Sequence, residues 1–181
     1  MSKDTKRKIA EQLSELLKTK NIEDITVKQL VEACGISRQT FYYYYENILN
    51  VVEYSAELAV EQGIQESLTA GDTRTAVRAF LTHVVKNKAA ICRLMESSYR
   101  AECEHIFRQG IHTYLTKLFV KKFPNPQLPP SDIHAFLSFY TYGLIGLILE
   151  CSTNSEFDID LLVDQICRLL TGEMKSKLDR P

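Results

Sequence analysis

Glycine and proline are scarce in this 181-residue chain, at 7 and 5 residues. Tight turns lean on these two residues, so their scarcity argues for helices over a turn-rich sheet fold. An excess of one charge is lacking too: 22 Lys/Arg stand against 23 Asp/Glu, net −1. The chain as a whole is therefore no basic glove for nucleic acid. Its halves differ slightly, with 8 basic and 7 acidic side chains in residues 1–50 against 14 and 16 in residues 51–181. The five cysteines, Cys34, Cys92, Cys103, Cys151 and Cys167, form no C-x-x-C pair and their number is odd, which suits buried thiols in a reducing compartment. The N-terminus has no apolar signal core. The longest candidate for a membrane span, residues 133–149, is interrupted by His134, Ser138 and Thr141 and falls short of the ~20 apolar residues a span needs. A cytoplasmic protein without membrane association is expected.

Catalytic signatures are missing as well. No G-x-S-x-G, phosphate-binding loop or plausible triad occurs, so an enzyme is not expected. His105 and His112, seven apart on one helix face near Cys103, lack further ligands, and neither metal nor cofactor is expected.

What is present is helical periodicity. Hydrophobic residues make up 45% and charged residues 25%, as in globular proteins, and the length suits one domain or a small module joined to a larger one. Ile9, Leu13, Leu16 and Leu17 mark one face of a first helix that frays near Asn21. In ITVKQLVEAC, Thr26 and Gln29 form a capping box that starts a second helix. Gly35 ends it, and Ser37 is placed to cap a third. Two short helices about a glycine turn are the pattern of a helix-turn-helix. Such short helices are marginal alone and must pack on the leucine face of the first. A long helix is expected over residues 47–70, with further helices over 73–88, 89–96, 101–121, 131–151 and 158–177. KKFPNPQLPP, residues 121–130, holds four of the five prolines and is the clearest loop.

The third helix falls in SRQTFYYYYEN, Ser37 to Asn47. Wound as a helix, it turns Phe41 and Tyr45, with Ile36 just before, toward the first two helices. The opposite side shows Arg38, Gln39, Tyr42 and Tyr43, with Thr40 at the margin. Arg pairs with guanine edges, Gln with adenine and the Thr methyl with thymine; tyrosine hydroxyls bond phosphates. This suits a recognition helix in the major groove of DNA. The competing reading makes the tyrosines an apolar patch packed on the C-terminal half.

The stretch ITVKQLVEACGISRQTFYYYYENILNVV resembles the N-terminal DNA-binding domain of the TetR family of transcriptional regulators. Members carry the form T-v-x-x-I-a-x-x-a-G-v-S-x-x-T-f-Y-x-h-F-x-x-K, and the match covers about residues 5–55. The resemblance implies an all-α fold of about nine helices and homodimerisation through the last two, which form a four-helix bundle with their copies. It also implies regulation by an effector. It implies that Thr26 and Lys28 touch phosphates, that Arg38, Gln39 and Thr40 face bases, and that Tyr42 and Tyr43 contact phosphate or thymine methyls. Ser37 joins this DNA-contacting set. The chain departs from the family near the start of helix 4, where a lysine is common and Glu46 and Ile48 stand here; Lys3, Lys6 and Arg7 are the candidates to compensate. The expected division is a DNA-binding domain over residues 1–46 and an effector-binding and dimerisation domain over 47–181.

In the C-terminal half, SDIHAFLSFYTYGLIGLILEC is apolar on nearly all sides, which suits a helix buried all round. Phe136, Tyr140, Gly143, Leu144 and Leu147, with Leu162, Ile166 and Leu169 of the last helix, are the candidate dimer interface; an ordinary monomer core is the alternative. KNKAAICRLMES and FYTYGLIGLILECSTNSEFDIDLLVDQI resemble the TetR branch that regulates dihydroxyacetone kinase genes. Relatives there often have Trp-Leu where Cys151-Ser152 stand. That branch implies a protein partner as one form the effector can take. A pocket framed by helices 4 to 8 would use Met95, Tyr99, Phe107, His112, Phe139 and Tyr142, although plain core packing is the first reading of each. The expected function is a dimeric regulator that binds a palindromic double-stranded DNA operator, its recognition-helix spacing set by a small-molecule effector or a protein partner. The alternatives are a purely partner-responsive regulator without a small-molecule site, and an all-α enzyme or carrier that does not bind DNA.

Overall fold

The computed structural model describes residues 3–153 and 158–174. Among them are nine α-helices and no strand. They are α1 (Lys3–Leu17), α2 (Val27–Cys34), α3 (Arg38–Tyr44), α4 (Ile48–Thr69), α5 (Thr73–Lys86), α6 (Lys88–Met95), α7 (Arg100–Lys122), α8 (Pro130–Thr153) and α9 (Ile159–Leu170).

Side-chain caps set several helix starts. Asn47 Oδ1 accepts the Asn50 N–H at 3.1 Å, and Asp72 Oδ1 accepts that of Thr75 at 2.9 Å. Asp158 Oδ1 accepts the N–H groups of Asp160 and Leu161. Each satisfies a donor that the helix leaves free.

Two features depart from the sequence expectation. A 3-10 turn, Ile22–Asp24, lies between α1 and α2. It lets Ile22 and Ile25 drop into the core, both nearly fully buried. The last helix, expected to reach residue 177, stops at Leu170, because Gly172 takes a left-handed φ of 73°. Residues 175–177 lie outside the described residues, as do the side chains of Lys3, Cys151 and Ser152.

The core has two parts. Ile9, Leu13, Leu30, Phe41 and Val51 are sealed together, and the same cluster runs on to Leu94, Met95 and Cys103 of α6 and α7. The N-terminal helices therefore share apolar packing with the C-terminal bundle. Each fully buried large side chain there contributes about 1.5–3 kcal/mol relative to exposure. In the second part, Val163, Leu162 and Ile166 of α9 close on Leu81 of α5, with Leu144 and Leu147 of α8 packed against them. Arg74–Asp164 and Arg78–Asp160 ion pairs flank this seam and fix how α9 lies on α5.

α8 is not buried all round within this chain. Leu137, Thr141 and Ile148 face inward, while Phe136, Phe139 and Tyr142 are 41%, 74% and 59% exposed. A Cβ added at Gly143 or Gly146 would meet nothing within 4 Å. The helix ends at Thr153, past the expected residue 151, and the apolar stretch expected over 133–149 extends to Pro130–Glu150, 21 residues, long and apolar enough by length and composition to cross a membrane.

Candidate nucleic-acid interface and internal cavity

The helix-turn-helix is built by local signals. Thr26 Oγ1 accepts the Gln29 N–H at 3.2 Å, and Gln29 Oε1 accepts the Thr26 N–H at 2.9 Å, so both halves of the capping box are present. At the other end of α2, Gly35 sits at φ 65°, ψ 36°. Its N–H donates to Glu32 O, and that of Ile36 donates to Val31 O at 3.0 Å. This closes the helix in a Schellman turn, with Ile36 and Val31 both against the core. Ser37 Oγ then accepts the Thr40 N–H at 3.0 Å and starts α3.

α3 is only seven residues long, so its orientation depends on packing. Phe41 is fully buried, and Tyr45, just past its end, is nearly so. The Tyr45 hydroxyl donates to the Lys6 carbonyl of α1 at 2.9 Å. Burial, with Tyr54 and Glu57 adding repulsion, pushes this phenol well above the ordinary tyrosine range, so it stays a proton donor.

The face opposite Phe41 is open. Arg38 and Gln39 are exposed, as are Tyr42 at 58% and Tyr43 at 77%; Thr40 sits at the margin. These are the side chains that the helical wheel turned outward. Thr26 and Lys28 are exposed at the head of α2, where Lys28 Nζ lies 4.0 Å from Glu32. The Ser37 and Thr40 hydroxyls lie 2.9 Å apart, so each occupies part of the other's bonding capacity.

The flanks of this face mix acidic and basic side chains, and Lys6 lines the same hollow as three glutamates. Glu46 is exposed and shares a surface hollow with Glu53 and Glu57 of α4. Ile48 packs on the core. Of the α1 cations, Lys6 lies over the Tyr54 ring at 4.0 Å, and Arg7 pairs with Glu11 at 3.0 Å.

A second site lies inside the bundle. A cavity of about 200 Å³ is lined by Val52, Ala56 and Val60 of α4, Phe80 of α5, Ile111 of α7 and Ile148 of α8, among others. α1 forms part of its wall through Leu13 and Leu17, which the sequence reading, with its frame of helices 4 to 8, missed. One signal was available: Ala56, Ala59, Val60 and Gly63 put small side chains along one side of α4, where larger ones would close the space. Of the six ligand candidates, Met95 and Phe107 line the cavity. Tyr99 is at the exposed start of α7, His112 bonds Thr116, and Phe139 and Tyr142 point out from α8. The Tyr142 hydroxyl accepts from Arg108 at 3.3 Å.

The eight dimer candidates also separate. Leu162 and Ile166 are buried against α5, and Leu144 and Leu147 pack on the same cluster. Phe136, Gly143 and Leu169 are exposed, and Tyr140 is half-buried with its ring 4.6 Å from that of Phe136. Phe139, expected at the pocket, widens this outward apolar face together with Gly146, Leu161 and Leu170.

Among the described residues, the remaining reactive groups do not gather. His105 is exposed beside Arg108, 2.8 Å away, whereas Cys103 is fully buried. Burial pushes the Cys103 thiol up to about 11, with Glu102 and Glu23 adding to it, and raises Cys34 too. Both stay protonated near neutral pH and are poor nucleophiles.

Known proteins place this architecture. The TetR C-terminal family model, described as "Transcriptional regulator C-terminal region", matches residues 72–172, more than half of the chain. No curated protein matches. Among solved structures, the dihydroxyacetone kinase operon activator DhaS superposes with a TM-score of 0.69 at 18% identity, over 96% of this chain and 98% of that one. Lin0861 from Listeria innocua gives 0.68 at 20% identity, over 92% and 89%. A TetR-family transcriptional regulator from Streptomyces coelicolor gives 0.67 at 13%, over 95% and 83%. At these identities the superpositions speak for the fold, and the matched C-terminal region speaks for the family. The chain belongs to the TetR family of transcriptional regulators.

Proposed function

We propose that this protein is a cytoplasmic homodimer that binds a palindromic operator in double-stranded DNA and responds to an effector held in its C-terminal bundle. The observation that carries the DNA reading is the outward set on α3: Arg38, Gln39, Tyr42 and Tyr43, seated by Phe41 and Tyr45 beneath. In this reading Arg38, Gln39 and Thr40 read base edges, while Thr26, Lys28, Ser37, Tyr42 and Tyr43 hold phosphates or thymine methyls. With Lys6 over the Tyr54 ring, Arg7 paired with Glu11 and Glu46 nearby, phosphate attraction from these groups is modest, and hydroxyl and backbone N–H donors carry more of the positioning.

Dimerisation is supported by the outward apolar face of α8 and α9, where Phe136, Phe139, Gly143 and Leu169 lack cover within the chain. Two copies meeting there present two α3 helices to half-sites about 34 Å apart or a multiple of it. The same face accounts for an apolar α8 without a membrane. The division at residue 46 is functional in this reading, with residues 47–181 holding effector and dimer surfaces.

The cavity favours a small-molecule effector over a protein partner acting alone. Its wall includes α4, which follows α3 in the chain, and α1, whose Lys6 carbonyl accepts the hydroxyl of Tyr45 just past α3. An occupant that fits one setting of α4 better than another shifts the spacing of the two α3 helices by that difference in affinity. A second tie runs from the N-terminal helices to the bundle: Glu23 Oε1 accepts the Ser98 N–H at 2.6 Å and its hydroxyl at 2.8 Å.

Selection of bound duplexes from a random pool tests the reading. A recovered inverted repeat is expected, with half-site centres about one helical turn or a multiple apart. Recovery of no sequence preference, at low as well as moderate salt, overturns it.

A further inference from the structure

The cavity's wall says what chemistry it accepts. Each polar side chain that reaches it has at least one hydrogen-bond partner within the protein. Ser14 Oγ donates to Ala10 O at 3.0 Å and Ser55 Oγ to Val51 O at 2.8 Å. Asn87 Nδ2 donates to His83 O at 2.9 Å, and His83 Nε2 lies 2.7 Å from Glu66 Oε2. Tyr114 Oη and Ser67 Oγ are 2.7 Å apart in a buried pair. Glu104 accepts from Arg100 Nε at 2.8 Å. The remaining lining is hydrocarbon, as in Leu13, Val52, Ala56, Phe80, Ile111 and Ile148.

No cation on this wall is left to meet an anion, and its two acidic partners, Glu66 and Glu104, repel one. A cationic guest would have to share Glu66 with His83 and Gln62, or Glu104 with Arg100, and give up its water to do so. A polar group brought inside without a partner costs roughly 1–3 kcal/mol, and an unpaired charge far more. Size bounds the guest from the other side. An apolar cavity of about 150 Å³ takes a benzene ring, so about 200 Å³ suits a bicyclic molecule or a chain of roughly eight to ten carbons.

We propose that this cavity binds a neutral, apolar molecule of about ten non-hydrogen atoms, recognised by shape and desolvation and not by a fixed polar contact. The proposal rests on the effector reading above for its regulatory meaning only, because binding is measured here without DNA.

The test uses the full chain and probes built on one ring system: naphthalene, naphthalene-2-carboxylate and 2-naphthylmethylammonium, with neutral 2-ethylnaphthalene, expected to bind more tightly than both ions, as the control for their larger size. Equilibrium dialysis gives affinity and stoichiometry, and thermal shift reports stabilisation. One naphthalene per chain is expected, bound at least about tenfold more tightly than either ion, a factor worth about 1.4 kcal/mol. Ala56→Phe, which fills the cavity from α4, is expected to weaken naphthalene at least about tenfold. Ala59→Leu at the rim serves if that variant does not fold. Equal or tighter binding of either ion overturns the proposal, as does no binding of naphthalene, or naphthalene binding unchanged in a folded filled variant. If naphthalene binds as expected but leaves operator affinity unchanged, the effector reading fails and the ligand class stands.

Discussion

Two helices of this chain hold aromatic rings out to solvent, α3 and α8, and what stands between the rings separates them. On α3 the exposed rings are Tyr42 and Tyr43, and their neighbours are Arg38 and Gln39. Every outward group there has a polar end that is satisfied in water and able to exchange water for phosphate or a base edge. On α8 the exposed rings are Phe136, Phe139 and Tyr142, and their neighbours are Gly143 and Gly146. That face has little to offer a polar partner, and its glycines leave room for a close approach by another helix. Aromatic exposure alone therefore says little about the partner; the intervening side chains discriminate.

The sharpest contrast to test lies within α3. Phe41→Ala removes the ring that seats the helix, and a loss of about 3–5 kcal/mol is expected in urea unfolding. Tyr43→Ala on the opposite side of the same helix should stay within about 0.5 kcal/mol. Similar losses from both would mean that the outward face is packed in solution, and the comparison would fail. On α8, Phe139→Glu puts a charge on the apolar face. We expect dimer dissociation to rise by about thirtyfold or more, as for an interface hot spot, read by sedimentation equilibrium, with helix content unchanged by circular dichroism. A dimer of undiminished affinity would place the interface elsewhere.

A smaller effect is expected at the N-terminal cap of α2. Thr26→Ala removes the hydroxyl that accepts the Gln29 N–H, leaves the backbone half of the capping box, and should cost about 1 kcal/mol, a fall in Tm of about 2–4 °C for a chain of this size. The smallest concerns Glu23. The Ser98 N–H, then Glu23's own backbone N–H and the Ser98 hydroxyl, hold its carboxyl below the ordinary glutamate value of 4.5. The folded state thus binds this proton less readily than the unfolded state. The linked stability is present above the ordinary value and is lost as pH falls through the lower folded one. Glu23→Gln should flatten the acid limb of a stability–pH curve slightly, and an unchanged limb would deny the Glu23–Ser98 tie in solution.

The parts of this structure that were legible in the sequence are those set by near neighbours. Thr26 with Gln29, Gly35 and Ser37 specify helix ends within four residues, and the 3.6-residue period turns Phe41 in and Tyr43 out. What periodicity cannot say is which element covers a stripe. Leu162 and Ile166 form a proper apolar face, yet that face meets Leu81 of this same chain, while Leu161, Leu169 and Leu170 stay outside. Phe139 and Tyr142 fail as cavity candidates for the same reason, since α8 turns them away from the bundle. The cavity depends on α1 crossing α4 and on small side chains facing each other across helices far apart in sequence. The stop of α9 is a different case, because the signal, Gly172, was present in the sequence and was passed over.

The central claim is that the outward face of α3 reads DNA. Its most direct test is a titration of wild type and Arg38→Ala on the selected duplex and on a scrambled one, at several salt concentrations. The account predicts a loss of about tenfold or more for the variant on the selected duplex, with relaxed preference at one base pair and little change on the scrambled duplex. Equal affinity and equal preference for the two proteins at every salt concentration would contradict it.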